Sequence, residues 1–162
     1  MTEDLEIRAG TKEENYQSII PQIRGLLQGE TDLVANLANI SAALKEQFQW
    51  LWVGFYLVKQ DELVLGPFQG PVACTRIRKG RGVCGTSWAK EETIIVPNVE
   101  AFPGHIACSS LSKSEIVVPV VIDGNIIGVL DVDSELYNQF DETDQVYLQE
   151  IVSMLKTNIS SE

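Results

Sequence analysis

The segment "EIVVPVVIDGNIIGVLDVDS", residues 115–134, constrains the fold more than any other stretch of the chain. Two apolar, β-branched runs flank Asp123-Gly124-Asn125, residue types that tolerate the positive φ of a tight hairpin turn. An antiparallel pair of strands is therefore expected here. Centring the pairing on that turn brings 115–117 opposite 131–133. Asp131 and Asp133 stand two apart at the end of the second strand, so both point to the same face of the sheet. Glu115 opens the first strand, and the three acids converge if the register holds. Like charges held that close need a cation, or one carboxyl must keep its proton. The plainer alternative is a solvated strand end, where acids are common.

The remaining segments fit around this hairpin. "TKEENYQSIIPQIRGLLQGE" (11–30) carries Tyr16, Ile19, Ile20, Ile23, Leu26 and Leu27 at helical spacing, with Thr11 and Glu14 in a capping-box pattern. Pro21 introduces a kink or an early break. "TDLVANLANISAALKEQF" (31–48) is a clearer amphipathic helix, with Leu33, Leu37, Ile40, Leu44 and Phe48 on one side. The period then changes. "WLWVGFYLV" (50–58) and "DELVLGPFQG" (61–70) read as a second hairpin, "VACTRIR" (72–78) and "TIIVPNV" (93–99) as further strands. "DETDQVYLQEIVSMLKTNI" (141–159) closes as a helix capped by Asp141 or Thr143. Helices, a block of hairpin-linked strands and a final helix define an antiparallel α+β sandwich.

A formal net charge of -11 repels phosphate backbones and anionic membrane surfaces. The one basic run, "RIRKGR" (76–81), is short and has no interleaved aromatics. Neither nucleic acid nor membrane is expected as a partner. No apolar run reaches the roughly 18–20 residues that cross a bilayer, and the acidic start lacks an apolar signal core. A cytoplasmic location is the expectation. In a reducing cytosol an odd count of three cysteines points to transient rather than structural disulfides. Their wide spacing, with a single histidine in the chain, argues against a structural zinc site, which needs about four ligands.

Chemistry-bearing residues cluster in two segments. In "KGRGVCG" (79–85), Gly80, Gly82 and Gly85 match G-x-G-x-x-G, with Glu100 further on. The preceding strand is studded with Arg and Lys rather than apolar, and the helix "TSWAKEE" is too short for a crossover. A tight turn into a helix start is the better reading. None of the cysteines lies in an apolar run: Cys74 neighbours "TRIRK", Cys84 sits in that glycine turn at a helix start, and Cys108 lies in a loop. Helix N-termini and nearby cations lower thiol pKa values, which favours redox chemistry over core filling. His105, three residues before Cys108, raises a Cys-His hydrolase, but dyads are set in space and no third member is evident. Pro97, Pro103 and Gly104 bound a long loop, 98–113, which reads as an active-site lid.

Together these residues resemble the free methionine-(R)-sulfoxide reductase family, built on the GAF fold. The resemblance runs from "WLWVGFYLV" to "LDVDSELYNQFDETD". It is carried by "WVGFY", "GPFQGPVACTRIRKGRGVCG", "VPNVEAFPGHIACSSLSKSEIVVPV" and "GVLDVDS", and all three cysteines fall where that family has them. It implies a single GAF-like domain over 1–162, an antiparallel sheet sandwiched by N-terminal and C-terminal helices, with neither cofactor nor metal. It also implies Cys108 as the attacking thiol, Cys74 as the thiol that resolves it and Cys84 as an auxiliary. Asp131 would donate a proton, Glu115 and Asp133 would hold the substrate ammonium, and Trp52 would pack on the substrate methyl. The implied partners are free methionine (R)-sulfoxide and a thioredoxin-like reductant, and a homodimer is left open. The competing expectation is a GAF-type sensor that binds a small ligand or senses redox state without catalysis.

Overall fold

The computed structural model describes residues 4–106 and 108–160, the last five without their side chains. The two ends of the expected 1–162 domain, and position 107 of the expected lid, lie outside the described residues. Helix α1 (Lys12–Leu27) starts on a complete capping box. The Thr11 hydroxyl accepts from the Glu14 N–H, and the Glu14 carboxylate accepts from the Thr11 N–H. Pro21 lies inside α1, which runs on without a break. An interior proline costs about 3 kcal/mol. Burial of Ile19, Ile20, Ile23 and Leu27 around it offsets that cost, at roughly 1.5–3 kcal/mol per side chain. Helix α2 (Leu33–Phe48) begins on Asp32, which accepts from the Ala35 N–H, and ends at left-handed Gln49.

Six strands follow: β1 (Trp52–Lys59), β2 (Glu62–Gln69), β3 (Arg76–Arg78), β4 (Ile94–Val96), β5 (Ser114–Ile122) and β6 (Asn125–Ser134). They form one sheet of order β3-β2-β1-β6-β5-β4, every neighbouring pair antiparallel. Helix α3 (Gly82–Lys90) lies between β3 and β4, and α4 (Glu142–Ser160) ends the described chain. The expected third strand is shorter than 72–78, because the chain at Cys74 is drawn toward β1 and the 98–113 loop instead of pairing with β2. Asp141 caps α4, its Oδ1 accepting from the Thr143 N–H at 3.0 Å.

Strand alternation sorts the sheet into two faces. Val53, Phe55, Ile116, Val118, Val120, Leu130 and Val132 pack against α1, α2 and α4, so the N- and C-terminal helices share one face. Buried Asp144 ties them together. It accepts from the Tyr16 hydroxyl at 2.6 Å and pairs with Lys12 Nζ at 2.6 Å, so its charge is matched inside the core. The other face carries Trp52, Tyr56, Val117 and Val129 beneath Val83, Cys84 and Trp88 of α3.

The hairpin turn has two residues, Asp123 and Gly124, both at positive φ (52° and 80°), with Ile122 paired to Asn125. Carried on unbroken, that register would set Glu115 opposite Val132. The pairing instead shifts by one residue where Val120 meets Gly128 and Val121 meets Ile126, leaving Ile127 as a bulge. Beyond the bulge Glu115 faces Asp133 and Val117 faces Asp131. One extra residue thus turns both aspartates onto the face that carries Glu115.

Candidate active site

The register places Glu115, Asp131 and Asp133 side by side, and β1 adds Trp52 opposite Asp133 and Gly54 opposite Asp131. α3 approaches from above. A Cβ on Gly85 would stand 2.4 Å from the carbonyl oxygen of Arg78, so only glycine lets the first turn of α3 press against β3. That is what the glycine-rich segment does here: it turns tightly into α3 and brings Cys84 down over the acids.

The third wall is the loop between β4 and β5. Its ends are pinned where the Val99 N–H donates to the Lys113 carbonyl at 3.0 Å, and a single 3-10 turn, Val99–Ala101, follows β4. The loop carries His105, Cys108 and Ser112 to the pocket mouth. Cys108 is joined there to Cys74 by a disulfide with Cα atoms 5.6 Å apart, within the usual bridging range. The Tyr56 hydroxyl donates to the Cys74 carbonyl at 2.8 Å and fixes the other end of that bridge. The pocket so formed has a free volume of about 60 Å³. Trp52 stacks against Phe68 and Tyr56, with centroids 5.1 and 5.9 Å away, and donates from Nε1 to the Pro71 carbonyl. Its ring is therefore held rigidly in the wall.

The electrostatics are unusual for a chain so rich in exposed acids. Glu115 and Asp131 are each only 6% exposed, and Asp133 is partly exposed to the pocket. Among the described residues, the one basic side chain within ion-pair distance of the three is His105, whose Nε2 lies 3.9 Å from Glu115 Oε1. Burial holds that imidazole below its usual range, which favours the neutral form. Without a matched cation, protonation relieves the repulsion. Burial, then the charge of Asp131, push Glu115 and Asp133 well above the carboxylate range. Burial also raises Asp131, but hydrogen bonds from Glu115, Asp133 and Cys84 oppose the rise. Asp131 is thus the favoured anion, and its neighbours hold the protons. Ser112 donates to Asp133 Oδ1 at 3.2 Å, which opposes the rise at Asp133 without cancelling it.

Cys84 departs from the expectation that a helix start activates it. It is 4% exposed, and burial together with the acids raises its thiol well above the usual range. Desolvation and negative charge outweigh the helix dipole. His105 places its Nε2 3.9 Å from Glu115 Oε1, and the Cys108 sulfur is bonded to Cys74. Two contributors escaped the sequence reading. Tyr56 lies four residues after Trp52, and strand alternation alone puts it on the same face. Ser112 has no such signal, because a loop has no period.

Residues 32–159 match the GAF domain, and a six-stranded antiparallel sheet with a pocket under a helix and a loop is that class of fold. The chain is 68% identical to GAF domain-containing protein A of Dictyostelium discoideum, over 96% of this chain and 99% of that one. It is 47% identical to the free methionine-R-sulfoxide reductase of Escherichia coli, over 90% of this chain and 88% of that protein. A crystal structure of the free methionine-R-sulfoxide reductase of Neisseria meningitidis in complex with its substrate superposes with a TM-score of 0.95. It shares 57% identity and covers 98% of this chain and 96% of that one. The chain belongs to the free methionine-R-sulfoxide reductase family.

Proposed function

We propose that this protein, acting as one domain over 1–162, reduces free methionine (R)-sulfoxide to methionine. The observation that carries the reading is the Cys74–Cys108 disulfide at the mouth of a pocket floored by three acids that lack a matched cation. Reduced, Cys108 is the attacking thiol. In the net first step the sulfoxide oxygen passes to its sulfur: methionine sulfoxide and Cys108–SH become methionine and Cys108–SOH. Cys74 then attacks that sulfenic acid, releasing water and forming the disulfide. A thioredoxin-like dithiol supplies two electrons and two protons to restore both thiols.

The acids supply recognition and the proton. An arriving ammonium stands against Glu115 and Asp133 and favours ionisation of one of them, while the other keeps its proton. The proton given up has a place to go. Asp131 Oδ1 receives no fixed N–H or hydroxyl hydrogen, and Asp131 is within hydrogen-bond reach of both neighbours. Protonated Asp131 then donates to the sulfoxide oxygen as the sulfur is attacked. Trp52 packs on the substrate methyl. Cys84, kept protonated, enters only by exchange onto the disulfide once the loop moves.

The test is direct. The protein is incubated with each free methionine sulfoxide epimer and dithiothreitol, and methionine is measured. Turnover of the (R) epimer, little of the (S) epimer and none without reductant is the expected result. N-acetylation removes the ammonium and leaves the acids unmatched, a loss of about 2–5 kcal/mol, or at least roughly 30-fold in kcat/KM. Full turnover of the blocked substrate overturns the recognition argument. A sensor module without catalysis would bind and release the sulfoxide unchanged.

A further inference from the structure

Cys84 Sγ and carboxylate oxygens of Glu115 and Asp131 lie within 4.8 Å of one another, and all three side chains are buried. Four-coordinate zinc, with bonds of about 2.0–2.3 Å to carboxylate and thiolate, holds its donors roughly 3.3–3.8 Å apart. Small side-chain rotations close this set on an ion. A second observation points the same way. Asp131 Oδ1 is buried and, among the described residues, receives no N–H or hydroxyl hydrogen. The hydrogens within its reach are the exchangeable ones of Glu115, Asp133 and Cys84, which are those a metal ion replaces. Asp133 adds a further carboxylate beside the set. The chain positions of these ligands are far apart, so sequence spacing carries no trace of them.

We propose that Cys84, Glu115 and Asp131 form a zinc-binding site on the pocket floor, with the fourth coordination position open to the pocket. A thiolate with two carboxylates selects zinc over magnesium or calcium, which prefer all-oxygen shells. As the ion binds, the Cys84 thiol proton and the Glu115 carboxyl proton both leave to solvent. The oxidised protein is the form that takes the ion cleanly, because the Cys74–Cys108 bridge leaves Cys84 as the free thiol. The ion and the substrate ammonium both engage the Glu115 carboxylate, so metal and substrate exclude one another. That exclusion rests on the reductase reading; the metal site does not.

The test titrates oxidised protein, free of reductant, with Co²⁺ as a spectroscopic probe. The expected result is one equivalent bound with a thiolate-to-cobalt charge-transfer band in the near ultraviolet, bleached by zinc. Cys84→Ser abolishes the band. Asp131→Asn keeps the thiol and the shape and weakens binding by roughly tenfold or more, with circular dichroism checking that both variants fold. No band in the wild-type protein, a band that survives Cys84→Ser, or unchanged affinity in Asp131→Asn overturns the site. Free methionine should lower the band more than equal glycine, which chelates alike but lacks the side chain for the pocket. Equal lowering overturns the exclusion. A protein that binds cobalt in this way yet never reduces a sulfoxide retires the reductase reading and leaves the metal site standing.

Discussion

Glu115 and Asp133 are direct cross-strand partners on β5 and β6, two acids facing one another on the inner face of a sheet. Burial and the charge of Asp131 hold both well above the carboxylate range, so the native state binds protons that the unfolded chain has released. A raised pKa contributes stability that is fully present below the unfolded value and is lost as pH rises through the folded one. The substrate-free protein should therefore lose stability as pH rises above the ordinary carboxylate range. Glu115→Gln keeps the shape, removes one titrating group and should flatten that slope while lowering activity at least about 100-fold. Urea unfolding at several pH values reads the slope; parallel curves for the two proteins would refute the account.

The disulfide joins Cys74 to Cys108, and the proposed order of the two thiols makes distinct predictions for each. With Cys108 as the proposed attacking thiol, Cys108→Ser should abolish even a single turnover. Cys74→Ser should release one equivalent of methionine and then fail to recycle with a thioredoxin-like dithiol. Quenched single-turnover measurements separate the two. Loss of the first turnover in Cys74→Ser would show that the roles are reversed.

The hydrogen bond from Tyr56 to the Cys74 carbonyl predicts a positioning role in the proposed second step. Tyr56→Phe leaves that carbonyl without its donor, a loss of about 1 kcal/mol in stability. The Cys108 sulfenic acid should then persist longer and be trapped more readily by dimedone. Rescue is not expected from any variant that lacks a hydroxyl. Unchanged trapping would make Tyr56 a purely structural residue.

The 98–113 loop carries one partner of the disulfide and is pinned at its base by Val99 and Lys113. Reduction frees Cys108, and substrate then gives the loop something to close on. Hydrogen exchange on reduced protein should show greater protection of 98–113 with methionine than without. Equal protection in both states would mean a rigid, preformed pocket.

Much of this protein is legible in the sequence, for local reasons. The Thr11/Glu14 box, the helical spacing of α2 and the β-branched runs around Asp123-Gly124 each encode an element within a few residues. The same short-range periodicity put Asp131 and Asp133 on one face. What the chain could not settle locally was decided by tertiary contact. The run of α1 through Pro21 depends on the core it packs against, and the truncation of β3 depends on Tyr56 and Cys108 holding Cys74. The bulge at Ile127 fixes which face meets Glu115. The raised Glu115 and Asp133 carboxyls and the raised Cys84 thiol follow from burial between the sheet and α3, and burial is a property of the packed molecule rather than of any segment of it. Sequence names the reactive groups and the periods that aim them. Only packing sets their distances, their exposure to water and hence their charge.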